Sequence, residues 1–420
     1  MSTRLSTNSS RLRWVVSAQS VALLVVLVFL AWTAFSIGFA NLYTNRAATT
    51  GQLEATNSAI KLNPKDPEAH FMRASILVND DRVAANAEAI EAVALRPRDY
   101  VFWLGLAQTR ELDNDLSGAI AAATQAVRLA PSYSQPHWRL GNALVRAGRF
   151  DDGFSELRMA AASDPALLPS IIDLAWHLSN EDADYVKNAV QPNTVEAGIA
   201  LSNYFRAHGK FAEAVQVIRE AGPSANDYRQ RLIAELVSQK HFADAYQLWA
   251  TRHATNSDKT NPLFDPSFEE TRDFTEAGFG WRTGKPQRVA FTTDSQTAAE
   301  GKASLKIEFN GESEPGLALL SQLAMVEPNS RYTLKFAGRS DQLVSGGLPA
   351  MRIVDADSNA VLGESVLRQQ TDGWWEYAID FAVPDKASFI EIRLQRQICS
   401  TNPCPIFGTL WLDRFTLQKR

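Results

Sequence analysis

Four prolines close successive alanine-rich stretches of this chain at a nearly constant interval. They are Pro64, Pro97, Pro131 and Pro165. Within each interval, apolar residues recur at helical spacing, and small residues stand where two antiparallel helices would have to approach closely. A period of about 34 residues with this pattern indicates a solenoid of helix–turn–helix repeats, in which one repeat cannot bury its apolar face without its neighbours.

The residues inside these intervals resemble the tetratricopeptide repeat (TPR) family. The interval that ends at Pro131 has Trp103 near its start, and the next interval has Leu140-Gly141 in its first helix and Gly148 at its turn. The preceding interval has His70 where the family has Trp. The resemblance implies an all-α solenoid over residues 44–254, with an irregular stretch in its middle, and a concave groove that binds a protein partner.

The resemblance also assigns particular residues to that groove. In TPR proteins the fifth residue of the first helix in each repeat faces the concave surface, as does the residue one turn later. The corresponding residues here are Phe71, Leu104, Gln108, Trp138, Asn142 and Ile172. Apolar side chains edged by amides favour an amphipathic helix or an extended segment of the partner. The alternative is that these side chains are buried between neighbouring helices.

An uncharged stretch at residues 14–43 precedes the repeats. Its core has about the 20 apolar residues that a helix needs to span a bilayer. Three arginines precede it and only Arg46 follows closely, so the positive-inside rule predicts a cytoplasmic tail at residues 1–13 and the bulk of the chain in the periplasm, anchored in a bacterial inner membrane. A cleaved signal peptide is the alternative, since Gly38 to Ala40 offers small residues, but the apolar run is longer than the usual h-region of about 7–15 residues.

Beyond residue 260 the apolar period changes from 3.6 to 2. Runs such as Leu305–Phe309, Tyr332–Phe336 and Phe389–Leu394 alternate, and clusters of Gly, Pro, Asn and Asp separate them. Short alternating runs of this kind predict an antiparallel sandwich. We therefore expect a C-terminal all-β domain over residues 261–420, joined to the solenoid by a polar linker at residues 255–260.

The second half resembles the calcium-containing jelly-roll carbohydrate-binding modules. The segment Asp265-Pro266-Ser267-Phe268-Glu269 is similar to their Asn-Gly-x-Phe-Glu opening, with Asp265 in place of Asn, and Leu412-Asp413-Arg414-Phe415 is similar to their closing strand. The resemblance implies a jelly-roll sandwich and a structural calcium held by Glu269 and Asp413. Two carboxylates from strand ends distant in sequence need a hard cation to lie together, and two solvated acids are the alternative.

Sugar binding by such modules uses flat aromatic rings against the apolar faces of the sugars and polar groups that pair with the hydroxyls. The candidates in this chain are Trp281, Gln322, Arg352, Trp374, Trp375, Tyr377 and Trp411. Large aromatic residues in a sandwich are more often part of the core, which is the alternative for each of them.

Three further observations limit the chemistry. Cys399 and Cys404 are the only cysteines; outside the cytoplasm a disulfide between them is expected, and metal binding by the two thiolates is the alternative. The formal net charge of −5 disfavours nucleic-acid binding. The sequence has no nucleophile elbow, phosphate-binding loop or zinc-protease motif.

The two resemblances together imply a non-catalytic envelope scaffold, in which the solenoid binds a protein and the sandwich contacts a glycan, in cell-surface polysaccharide assembly or export. One alternative is a scaffold that binds protein and no sugar. Another is a glycan-cleaving enzyme, because the two acids of such an enzyme have no fixed spacing in sequence.

Overall fold

The chain divides into two compact units, residues 1–191 and 192–420. The computed structural model describes residues 8–253, 261–270, 273–284, 286–400 and 403–420, without the side chains of residues 8–19 and of Glu312. The predicted linker at residues 255–260 and the first seven residues of the predicted cytoplasmic tail lie outside the described residues.

The first unit begins with one long helix, α1 (Asn8–Thr50). Its segment Ser20–Thr50 is long and apolar enough to cross a membrane, with a mean hydropathy of 2.5 over its most apolar window. A signal sequence would satisfy the same criterion. The structure therefore contains a candidate membrane span at the position that the sequence predicts.

Paired helices follow α1 in the first unit. They are α2 (Leu53–Leu62), α3 (Pro67–Leu77), α4 (Arg82–Leu95), α5 (Tyr100–Leu112), α6 (Leu116–Leu129), α7 (Ser134–Arg146), α8 (Phe150–Ser163), α9 (Leu168–Leu178) and α10 (Ala183–Val190). Aspartates cap several N-termini: Asp81 accepts a hydrogen bond from Ala84 N and Asp115 from Gly118 N. These caps satisfy backbone donors that have no partner inside the helix.

The phased prolines have a structural role that recurs from repeat to repeat. The carbonyl oxygens of the first three each accept a hydrogen bond from a ring nitrogen six residues later. The pairs are Pro64–His70 at 3.0 Å, Pro97–Trp103 at 2.9 Å and Pro131–His137 at 2.9 Å. Histidine can stand at the Trp position because its Nε2 also donates to this carbonyl. The residue six positions after Pro165 is Ile171. Its side chain has no hydrogen-bond donor, and the regular repeat pattern weakens there.

The second unit begins with four helices, α11 (Val195–Ala207), α12 (Phe211–Glu220), α13 (Asn226–Ser238) and α14 (Phe242–His253). Their apolar side chains share one core with residues of the strands that follow. The Phe242 ring lies 5.6 Å from that of Phe389, and the Trp249 ring lies 5.7 Å from that of Phe279. Helices that the sequence assigned to the solenoid are therefore packed on the sandwich.

The rest of the second unit contains the strands, which form two sheets. The strands are β1 (Arg282–Thr283), β2 (Val289–Asp294), β3 (Ser304–Glu312), β4 (Ala318–Met325), β5 (Arg331–Ser345), β6 (Pro349–Asp355), β7 (Val361–Val366), β8 (Trp375–Ala382), β9 (Phe389–Arg396) and β10 (Pro405–Lys419). Sheet A has the order β1-β4-β9-β6-β7, and sheet B has the order β2-β3-β10-β5-β8. All strand pairs are antiparallel. The predicted fold class, a helical-repeat region followed by a two-sheet antiparallel sandwich, is confirmed.

Candidate functional site

A single cross-strand row on sheet A carries three arginines. Neighbouring strands place its members opposite one another in the order Arg282, Ser321, Arg393, Arg352 and Glu364. Residues adjacent to them along the strands, such as Leu320, Leu394 and Met351, belong to the sandwich core. Because successive side chains in a strand point to opposite faces, the row lies on the outer face of the sheet. We call it the arginine row.

An open cavity of about 310 Å³ lies at the β1–β4 end of the arginine row. It is lined by Phe274, Thr275, Arg282, Thr283, Gly284, Ala318 and Ser321. The cavity therefore combines one aromatic ring, one cation and several hydroxyl groups, which is the composition of a site for a polar ligand with an apolar face.

The three arginines differ in their partners. Arg352 Nε donates to Glu364 Oε2 at 2.5 Å, and its Nη1 donates to Gln395 Oε1 at 3.3 Å. Arg393 forms an ion pair with Glu391. Within the described part of the chain, Arg282 has no hydrogen-bond or ion-pair partner, and its Nε is buried. Burial lowers the pKa of Arg282, and the charge of Glu391 opposes this effect.

Three of the predicted glycan-binding residues are buried inside the sandwich. Trp281 is 2% exposed, and its Nε1 donates to the Asp265 carbonyl at 3.0 Å. Gln322 is 0% exposed, and its Nε2 donates to the Phe264 carbonyl at 2.8 Å. Tyr377 is 6% exposed and belongs to the core. This corrects the expectation for these three, because their side chains fill the interior or bond to the backbone and leave no face for a sugar.

The other predicted tryptophans, Trp374, Trp375 and Trp411, lie in or next to strands of sheet B. Trp375 begins β8 and is 45% exposed, with the Arg368 guanidinium 3.6 Å from the centre of its ring. Trp374, the residue before β8, is half-buried. Trp411 of β10 is also half-buried, and its Nε1 donates to Asp294 Oδ2 at 2.9 Å. The predicted glycan-binding residues thus do not form one site, and of them only Arg352 lies in the arginine row.

The sequence contained part of the signal for the arginine row. Alternation in the run Phe389–Leu394 already places Arg393 on the face opposite its apolar neighbours, and alternation does the same for Arg352. The pairing of β1 with β4 and of β4 with β9 brings Arg282 and Ser321 into line with them. That pairing joins segments far apart in the chain, so the spacing of residues in the sequence does not reveal it.

Glu269 and Asp413, which we call the carboxylate pair, hold the same loop. Glu269 Oε1 accepts hydrogen bonds from Lys302 N at 2.7 Å and Ala303 N at 3.1 Å. Asp413 is fully buried, and its Oδ2 accepts from Ala299 N at 2.7 Å. Burial raises the pKa of Asp413, and the nearby charge of Glu269 raises it further.

The charge of Glu269 acts on Asp413, and a hard cation bound to both carboxylates would relieve their repulsion. The described residues contain no cluster of three or more His, Cys, Asp or Glu side chains that could hold a metal ion. Backbone carbonyls or water would therefore have to supply the other oxygen ligands that Ca²⁺ requires.

A disulfide joins Cys399 to Cys404 in the loop between β9 and β10. Residues 401–402 of that loop lie outside the described residues. Next to the disulfide, Arg396 Nη2 donates to the Cys404 carbonyl at 2.8 Å. Neither cysteine is free, so the alternative of a two-thiolate metal site does not fit this structure.

The predicted groove residues of the repeats divide into two groups. Phe71 and Gln108 line a cavity of about 80 Å³, together with Ala74, Ser75, Val78, Gly105 and Thr109. Trp138 and Asn142 are half-buried, and Asn142 Nδ2 donates to the Trp138 carbonyl at 2.8 Å. Leu104 is 5% exposed and Ile172 is 0% exposed. This corrects the expectation for Leu104 and Ile172. Both are buried between neighbouring helices, which was the alternative to a place in the groove.

Comparison with known proteins gives one family match and several partial structural similarities. Residues 104–167 match the family model for the tetratricopeptide repeat, so the helical pairs from α5 to α8 are repeats of this type. No curated protein matches the chain. The crystal structure of MamA is 15% identical, with a TM-score of 0.30 over 42% of this chain and 91% of MamA.

Two other solved structures are similar to parts of the chain. YrrB, described as a TPR protein with an unusual peptide-binding site, is 16% identical, with a TM-score of 0.31 over 39% of this chain and 88% of YrrB. TmCBM61 in complex with beta-1,4-galactotriose is 19% identical, with a TM-score of 0.28 over 38% of this chain and 99% of TmCBM61.

Proposed function

We propose that this protein is a membrane-anchored, non-catalytic scaffold that binds a glycan on the outer face of sheet A and a protein partner through its helical repeats. The observation that carries the proposal is the arginine row beside the cavity lined by Phe274. An aromatic ring can pack against the apolar face of a sugar, while guanidinium and hydroxyl groups bond to its oxygens.

The helical repeats supply the second half of the proposal. Phe71 and Gln108 meet at a cavity between α3 and α5, which suits an apolar side chain on an amphipathic helix or extended segment of a partner. We further propose that α1 anchors the chain in the inner membrane with the bulk in the periplasm, where the protein acts in cell-surface polysaccharide assembly or export. A structural Ca²⁺ at the carboxylate pair belongs to the same proposal.

Calorimetric titration of the full-length protein with soluble polysaccharides tests glycan binding. The detergent must have no sugar headgroup, because such a headgroup would compete for the site. Ser321→Trp, which places a large side chain in the middle of the arginine row, should abolish the binding heat. Thr409→Trp is the matched control, since Thr409 lies on the outer face of sheet B, opposite Glu308 and Asp341.

The outcomes separate the alternatives. If neutral and acidic polysaccharides both give no heat with the wild-type protein, the scaffold that binds only protein is the better description. If incubation releases new reducing ends from a polysaccharide, the protein is a glycan-cleaving enzyme and the non-catalytic role is wrong. Equal loss of binding in both variants would show that the site lies elsewhere.

A further inference from the structure

We infer that the glycan bound on the arginine row is acidic, and that Arg282 receives one of its carboxylate groups. This inference rests on the proposed function and specifies its ligand. Two observations carry it: the partners of the three arginines, and the position of Arg282 at the cavity.

The charges in and around the arginine row do not balance. Glu364 pairs with Arg352, and Glu391 pairs with Arg393. Arg282 is the third guanidinium, and in the described part of the chain no carboxylate lies within ion-pair distance of it. Among the described residues named here, three guanidinium groups thus lie beside two carboxylates. A partly buried cation without an anion is costly, so a bound carboxylate would be stabilised there more than a neutral group.

The buried nitrogen atoms agree with this interpretation. The Nε atoms of Arg282 and of Arg393 are both buried, and neither has a hydrogen-bond partner among the described residues. Each of these two guanidinium groups thus retains N–H donor capacity that no described residue uses. A guanidinium presents its donors in a planar fork that matches a carboxylate.

The lining of the cavity favours a sugar over a small inorganic anion. Phe274 and Thr275 lie beside Arg282, so a ring that carries the carboxylate can contact the aromatic side chain and the hydroxyl group. Arg282 and Arg393 are separated by β4, with Ser321 between them, a span of about 10 Å along which an extended glycan can lie. A polyuronate, which carries a carboxylate on each sugar ring, satisfies both requirements.

Polygalacturonate and its fully methyl-esterified form are the probes, because they share a backbone and differ in charge. Full-length protein in a zwitterionic detergent should bind polygalacturonate about tenfold or more tightly than the ester, the loss expected for one charge-assisted hydrogen-bond pair. Arg282→Gln should weaken polygalacturonate binding by about tenfold or more and leave ester binding unchanged. Arg339→Gln is the matched control on sheet B, and its affinity should stay within about twofold of the wild type.

Each contrary result has a defined meaning. If the ester binds as tightly as the acid and Arg282→Gln changes neither affinity, the inference of an acidic ligand is overturned while glycan binding stands. If neither polymer nor a neutral galactan binds, the proposed function itself fails. If polyglutamate binds as tightly as polygalacturonate, the face recognises anions irrespective of sugar, and the inference is also overturned.

A folding control keeps the test decisive. Arg282→Lys retains the cation but loses the planar fork, and should show intermediate affinity for polygalacturonate with an unchanged melting temperature. If Arg282→Gln unfolds, the test uses Arg282→Lys instead. If the folded lysine variant binds polygalacturonate with wild-type affinity, the Arg282 fork does not recognise a carboxylate.

Discussion

Arg396 is the residue whose truncation should cost the sandwich most stability. It ends β9, is fully buried, and donates hydrogen bonds to groups in three different loops. The acceptors are the carbonyl oxygens of Ser313, Gly347 and Cys404 and the hydroxyl of Ser345. These loops connect β3 with β4, β5 with β6, and β9 with β10. Burial lowers the pKa of Arg396.

The cost of Arg396→Ala follows from these bonds. A buried acceptor that loses its donor costs about 1–3 kcal/mol. Three carbonyl acceptors therefore give roughly 3–6 kcal/mol if part of the penalty is relieved by water entering the space left by the side chain. For a domain of about 150–250 residues this corresponds to a fall in melting temperature of at least about 6 °C.

Near-ultraviolet circular dichroism of the full-length protein during heating provides the assay, because the sandwich contains most of the buried aromatic contacts of its unit. Arg393→Ala is the control: it lies three residues earlier in the same strand, but its side chain is 23% exposed and faces outward. Removal of that ion pair should cost less than the truncation of Arg396, because solvent reaches the Arg393 side chain and its one described partner, Glu391, lies in the same strand. If Arg396→Ala melts within about 2 °C of the wild type, Arg396 does not hold these loops together and the reasoning is refuted.

Three other predictions follow from the same structure. Millimolar chelator should lower the melting temperature of the sandwich, and added Ca²⁺ should restore it, since metal bound only by the folded state stabilises by mass action; no shift would remove Ca²⁺ from the carboxylate pair. Cys399 and Cys404 should resist alkylation until a reductant is added, and full labelling without reductant would contradict the disulfide. Leu104→Ser should destabilise the repeats by about 2–5 kcal/mol because Leu104 is buried. Gln108→Trp, at an exposed position, should retain the melting temperature and lose partner copurification; retained copurification would count against the groove.

The repeats were predictable because their signals are local. Each proline interval contains its own helix pair, and the bond from Trp103 to the Pro97 carbonyl spans only six residues. The aspartate caps, such as Asp99 accepting from Val101 N, act over a similar distance. Apolar periodicity likewise identified the strands, since alternation is a property of each strand by itself. Local signals therefore sufficed for the fold class.

The candidate site depends on contacts that no local pattern contains. Trp281 and Arg282 are adjacent in sequence, yet Trp281 packs against Phe415 in the core, with ring centres 4.7 Å apart, and Arg282 faces outward. Alternation predicts that the two side chains diverge, but only the pairing of β1 with β4 decides which of them reaches a shared surface. No pattern in the sequence predicted that Trp249 of α14 packs against Phe264 and Phe279. Aromatic residues marked possible sugar platforms, while the candidate site has three arginines in one cross-strand row.

The transition from α1 to the repeats affects how the proposed anchor would work. The repeat domain was expected to begin at residue 44, but α1 continues without a break to Thr50 and ends before Gly51, which has a φ of 68°. Its last turns belong to the first repeat: Ala40 and Ala47 are 0% and 1% exposed, and Thr44 Oγ1 donates to Asp66 Oδ2 at 3.4 Å.

From Ala40 to Thr50 the helix advances only about 15 Å. If the apolar part of α1 spans the bilayer, a rigid helix rather than a flexible tether connects the membrane to α2 and α3. The cavity at Phe71 would then lie close to the membrane surface, because Phe71 belongs to α3. A membrane-embedded or membrane-bound protein can present a segment at that height. With α1 as the proposed anchor, its continuity with the repeats therefore favours a membrane-associated partner.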